Sequence, residues 1–366
     1  MKRISVFILT VALAACSPRG AILIVPEAAQ VGEVLPVFIG TTRGRNVSGN
    51  FDSSRTETLS FARYDVSIPP EREPGEISWP PTQGRPNPKT DFLTSARTDF
   101  AGEPQFRADL AKSLARTGGE AVVFVHGFNN TFAEGTYRIA QMAHDLELPG
   151  TVVHYSWSSA AEALGYAHDR DSALFARDGL EGLLREVEAA GAKRMIVVAH
   201  SMGSALTMET LRQVAIRGDK DVMAGIRGVV LISPDIDIDV FRAQAHAIPK
   251  LPQPFIVFTS ERDRILRLSA RLSGQTDRLG TLTDMTRVAD LPITFLDVAA
   301  FNRGSGHFNV GNSPALLRLL ERIASVDQAL ITDRAAQTGL LPGVVLTVQN
   351  ATQIILRPVA DIGTPR

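Results

Sequence analysis

From about residue 120 onward, short apolar runs rich in β-branched residues alternate with stretches of helical spacing. The runs cover residues 121–125, 151–155, 195–198, 228–232, 255–258 and 293–298. They are too uniformly apolar for strands with one wet face, which is the pattern of strands covered on both sides. Between them, residues 172–190 place Leu174, Leu180, Leu183, Leu184 and Val187 on one helical stripe, with Glu and Arg opposite. Residues 201–216 and 313–324 read the same way. The alternation predicts an α/β protein with a mostly parallel, twisted sheet and helices on both faces.

The first third differs. Residues 34–39, including Val37 and Phe38, predict a strand running into Gly40-Thr41-Thr42-Arg43, and residues 44–60 are polar. Residues 68–88 hold seven of the 21 prolines, which predicts an extended surface segment, because proline lacks a ladder donor. Near the end, runs at 344–348 and 353–356 predict a hairpin around Asn350.

At the N-terminus, Lys2 and Arg3 precede an apolar run over residues 4–15. A bilayer span needs about 20 apolar residues, so the run reads as a secretory signal peptide over residues 1–15. Leu13-Ala14-Ala15-Cys16 resembles the lipobox of bacterial lipoproteins. That resemblance implies lipidation of Cys16, with residues 16–34 as a linker and the protein tethered to a membrane of the bacterial envelope. Ser17, standing where Asp would signal inner-membrane retention, implies the outer membrane, with the body facing the periplasm.

Composition narrows the function. With 38 Lys+Arg against 39 Asp+Glu and no basic block, the chain lacks the electrostatic footprint of a nucleic-acid binder. A single cysteine excludes a disulfide framework and a zinc site built on several thiolates. Asp235, Asp237 and Asp239 lack the glycine and distal glutamate of a calcium loop.

Two segments carry chemistry. In Ala199-His200-Ser201-Met202-Gly203 a serine follows an apolar strand and precedes a helix, the small-x-Ser-x-Gly pattern of a nucleophile elbow. A helix N-cap serine is the structural alternative. The second segment, residues 122–130, ends a strand in His126-Gly127-Phe128. Acyl transfer needs two backbone N–H groups aimed at the developing oxyanion, and Phe128 and Met202 occupy the positions to supply them. Tyr155, Trp157 and Phe128 are candidates for an apolar pocket or for core packing.

Those segments resemble the α/β-hydrolase superfamily. VFIGTTR, YDVSIPPEREPGEI (64–77), HGFNNTF, HYSWSS, AHSMGS, LISPDID, FTSERD and SGHF, spread over residues 35–325, resemble a group of bacterial esterase/lipase-like hydrolases. Departures are SWSSAA (156–161), where related sequences often carry proline and glycine, and Ala199, which replaces the usual first glycine of the elbow. The resemblance implies a hydrolase domain over 35–330, a C-terminal extension over 331–366, and the order serine, acid, histidine. Only His246 and His307 follow Ser201. His246 lies in an amphipathic stretch, whereas His307 lies in a glycine-rich loop suited to a catalytic imidazole. Asp263 follows the strand from which the superfamily most often supplies its acid, and Asp235 is the alternative. The implied activity is hydrolysis of a small-molecule carboxylic ester or thioester, without a cofactor. A non-catalytic envelope lipoprotein, using the fold as a binding or assembly module, is the competing class; no protein partner is legible.

Overall fold

The computed structural model describes residues 19–274, 277–301, 307, 309–313 and 343–356. The signal-peptide segment, Cys16 and residues 314–324 lie outside them. The strands are β1 (Glu33–Arg45), β2 (Phe51–Ile68), β3 (Leu93–Phe100), β4 (Glu120–Val125), β5 (Thr151–Ser156) and β6 (Arg194–His200). They continue with β7 (Ile226–Ile232), β8 (Phe255–Thr259), β9 (Thr294–Asp297), β10 (Gly343–Val348) and β11 (Ala351–Leu356).

All eleven join one sheet in the order β10-β11-β9-β8-β7-β6-β4-β5-β1-β2-β3. The block from β1 through β11 is parallel, and β2, β3 and β10 add antiparallel edges. Each of the six apolar runs forms a strand of that block. Two apolar clusters, one on each face, bury alternate residues: Val123, Val153, Val197 and Leu231 in one, Val122, Val152, Val198 and Ile232 in the other. Burial on both faces is why these strands lack polar alternation.

Three segments take a form that the sequence reading left open. The polar residues 44–60 belong to a long hairpin ribbon made by β1 and β2, polar because much of it is exposed. The stripe at 172–190 is two helices, Tyr166–Phe175 and Arg177–Ala189, broken at Ala176. The buried Tyr155 hydroxyl donates to the Ala176 carbonyl at 2.6 Å, fixing the break. The C-terminal hairpin pairs through β11 with β9, so residues 343–356 extend the same sheet.

Candidate active site

Strand β6 ends at His200, and the helix Met202–Arg217 begins two residues later, leaving Ser201 alone to make the turn. Ser201 has φ 52° and ψ −120°, a left-handed conformation that side chains avoid. The turn is held from both sides: Ser201 N–H donates to the Ile232 carbonyl at 2.9 Å, and Asp235 N–H donates to the Ser201 carbonyl at 3.1 Å. Ser201 stands at the helix N-cap position, yet its side chain makes no capping bond.

Ser201 Oγ instead lies 3.0 Å from His307 Nε2, and His307 Nδ1 lies 2.8 Å from Asp263 Oδ2. An ionised carboxylate only accepts, so this geometry puts the imidazole proton on Nδ1 and leaves Nε2 to accept from the serine hydroxyl. Asp263 is fully buried. Its other oxygen, Oδ1, accepts from the N–H groups of Ile265 and Leu266 at 3.0 and 2.9 Å, capping the helix Arg264–Leu272. One carboxylate thus orients the histidine and starts a helix.

Asp235 is engaged elsewhere. It accepts from Tyr166 Oη at 2.8 Å and Ser269 Oγ at 2.6 Å, and pairs with the buried Arg278 at 3.1 Å. Asp237 caps the helix Ile238–His246, and Asp239 pairs with Arg287. His246 sits at the end of that helix beside Asp290, away from Ser201.

Glycines set the close approaches. A Cβ on Gly203 would fall 2.3 Å from the His126 carbonyl oxygen, so the small residue after the serine is demanded by the neighbouring strand β4. A Cβ on Gly127 would lie 3.0 Å from Ser201 Cβ and 2.8 Å from His200 Nδ1, so the loop carrying Phe128 rests directly against the serine turn. Phe128 packs edge-on to Tyr166, ring centroids 5.5 Å apart. Trp157 and Tyr155 are fully buried core residues. Trp157 Nε1 donates to the His126 carbonyl at 2.8 Å, and its indole stacks on the His126 ring. A cavity of about 530 Å³ opens beside Met202 and Asp235, with Tyr166, Leu174, Leu206 and Val240 among its walls.

Three supporting side chains carried no assigned role in the sequence. Arg43 is buried, and its guanidinium donates to Ser156 Oγ and to the carbonyls of Asp52, Ser159 and Asn130 at 2.9–3.1 Å. Burial lowers its pKa to about 10, with Asp169 the leading opposing charge. Asp169, also buried, accepts from Ser159 Oγ, Ala160 N–H and Asn129 N–H. Together they brace the loop after β4 at Asn129 and Asn130. Arg19 closes it from outside, donating to the Asn129 carbonyl and side chain and pairing with Glu134.

His126 and His154 are buried and His200 is partly buried near the site. Burial, aided by the Arg43 charge, pushes the His126 pKa down to about 3. Burial likewise holds His154 and His200 well below the ordinary range, aided by His126 for the former and His307 for the latter. In the unfolded chain these groups take protons near pH 6.5, so the unfolded state binds more protons below that pH. Stability is therefore full above about pH 6.5 and falls as the pH drops, by up to about 1.4 kcal/mol per pH unit for each histidine. Urea unfolding between pH 7.5 and 4.5 should show this decline, flattened by His126→Asn; a flat wild-type profile contradicts it.

A strained serine at a strand–helix turn, a histidine and acid from later strands, and a glycine-bearing loop pressed on that turn define the α/β-hydrolase architecture. Residues 102–334 match the model of the family "Alpha/beta hydrolase of unknown function (DUF900)". The chain belongs to that family and is a hydrolase of this fold class. No curated protein sequence matches the chain significantly. Among solved structures, it is similar to an esterase from Pyrobaculum calidifontis, at 14% identity and TM-score 0.38, covering 82% of this chain and 87% of the other. It is also similar to a fungal esterase structure from Rhizomucor miehei, at 14% and 0.38, covering 90% and 96%. A cutinase-like protein from Cryptococcus sp. aligns at 11% and 0.33, over 57% and 93%.

Proposed function

We propose that the protein is a serine esterase of the bacterial envelope, cleaving carboxylic esters or thioesters through an acyl-enzyme. The observation that carries this reading is the hydrogen-bonded line from Ser201 Oγ through His307 to Asp263. His307 Nε2 takes the serine proton as Oγ attacks the ester carbonyl. Asp263 holds the Nδ1–H tautomer and stabilises the imidazolium. The N–H groups of Phe128 and Met202 receive the oxyanion, and the proton on His307 passes to the leaving alcohol or thiol. Water, deprotonated by the same histidine, then releases the acid and restores Ser201. The cavity beside Met202 accommodates an acyl portion of moderate length against Leu206, Leu174 and Val240.

The test is a series of p-nitrophenyl esters of rising acyl length. Hydrolysis should be fastest at intermediate chains, and Asp263→Asn should lower kcat by about ten-thousandfold. Asp263→Ala should in addition cost about 1 kcal/mol of stability through the lost helix cap. Asp235→Asn should disturb the Arg278 pairing yet retain turnover. Full activity in both Asp263 variants would refute the assignment. For the anchor, palmitate should enter the wild type and not Cys16→Ala; equal incorporation would refute lipidation there.

A further inference from the structure

The helix Arg264–Leu272 follows directly on the acid Asp263 and ends at Ser273, which lines the cavity. Its inner face buries Leu266, Ser269 and Ala270. Its outer half is divided lengthwise. Ile265, Leu268 and Leu272 form an apolar row with 38%, 53% and 66% of their surface exposed. Arg264, Arg267 and Arg271 form a second exposed row, roughly a quarter turn away. Exposed Arg262 precedes them, and the helix itself contains no carboxylate. Among the described residues, these four arginines form no ion pair, although charges over the whole chain are balanced and most other arginines are paired.

We propose that this helix docks the carboxyl edge of the sheet onto an anionic lipid surface. A helix lying flat in a membrane interface buries one apolar stripe among acyl chains while its arginines reach out to phosphates. The two rows match both demands. A nucleic acid would satisfy the arginines and strand the leucines in water. A second copy presenting the same face would bring like charges together. The chain's entry point agrees. Arg19 is clamped to the loop after β4, at the same carboxyl edge, and only Ser17 and Pro18 separate it from Cys16, three Cα–Cα steps away. An extended segment of that length reaches roughly 10 Å. If Cys16 carries lipid, as proposed above, the anchor holds this edge against the bilayer, and the exposed Leu174 and Val240 line the same cavity as Ser273 at the end of the helix.

The only cysteine being Cys16, a Cys16→Ser background accepts a single fluorescent label at Leu268→Cys, or at Lys112→Cys on the remote helix Glu103–Arg116. With an environment-sensitive nitrobenzoxadiazole label on the full chain, vesicles of phosphatidylcholine plus phosphatidylglycerol should raise and blue-shift emission at position 268, but not at 112. Vesicles of phosphatidylcholine alone should have little effect. Changing Arg264, Arg267 and Arg271 together to Gln should raise the lipid concentration needed at least about tenfold. No response at 268, an equal response at 112, or an equal response to neutral vesicles would overturn the proposal. None of these readouts depends on hydrolysis, so a failed esterase reading leaves the result interpretable.

Discussion

Replacing Ser201 with alanine is expected to lower kcat by about a millionfold while leaving the fold intact. The magnitude follows from the cooperative character of the set: without the serine oxygen, His307 and Asp263 have no nucleophile to activate, and only binding and oxyanion stabilisation remain. A second variant separates chemistry from backbone strain. At φ 52°, alanine keeps the unfavourable conformation that serine endures, whereas glycine adopts it freely. Ser201→Gly should be as inactive as Ser201→Ala, yet more stable by roughly 1 kcal/mol. Parallel p-nitrophenyl ester assays and thermal melts check both expectations. Retained turnover in either variant, or a less stable glycine variant, would contradict them.

Removing Arg43 should have the largest effect on stability. Its guanidinium supplies donors to four separate groups in a dry setting, and Asp169 is the leading charge that offsets its burial. Arg43→Ala strands those carbonyls and removes the cation that faces Asp169, at a cost of about 3–5 kcal/mol. Arg43→Lys restores the charge but not the planar fork, and should recover only part of that loss. Because the Asn130 carbonyl belongs to the loop that carries Phe128, the lysine variant should also lose kcat more than it raises KM. Urea unfolding with steady-state kinetics measures both; a loss under about 1 kcal/mol for Arg43→Ala would show that the network bears little load.

Legibility from sequence followed the length scale of the physics. The six apolar strands were readable because burial on both faces removes most polar positions, and the elbow was readable because its steric demands fall within five consecutive residues. His307 and Asp263 followed from the resemblance to the α/β-hydrolase superfamily, through its chain order and the loops they occupy; His307 lies within hydrogen-bond reach of Ser201, and Asp263 within reach of His307. Arg43 was not legible as a strut. Register shifts between Thr41 and Arg43, and again between Arg43 and Arg45, break the two-residue alternation. Thr41, Thr42 and Arg43 are buried in succession, as residues 37–40 are before them, because β1 is covered on both faces, and a cation there has no solvent-facing side to take. The roles of Asp169 and Arg19 were not legible either, since their partners lie in loops that only the folded chain brings together. The long β1–β2 hairpin was hidden by its polarity, which reflects exposure of a ribbon and not absence of strand. The break at Ala176 depends on a hydroxyl reaching over from β5, a contact that no helical periodicity encodes.

The central claim is that Ser201 is an activated nucleophile, and covalent labelling with a fluorophosphonate tests it most directly. The wild-type chain should gain one phosphonyl group, located on Ser201 by peptide mass mapping, and His307→Ala and Ser201→Ala should gain none at that position. A folded wild-type protein that stays unlabelled, or a label that persists on Ser201 at undiminished rate in His307→Ala, would contradict the account.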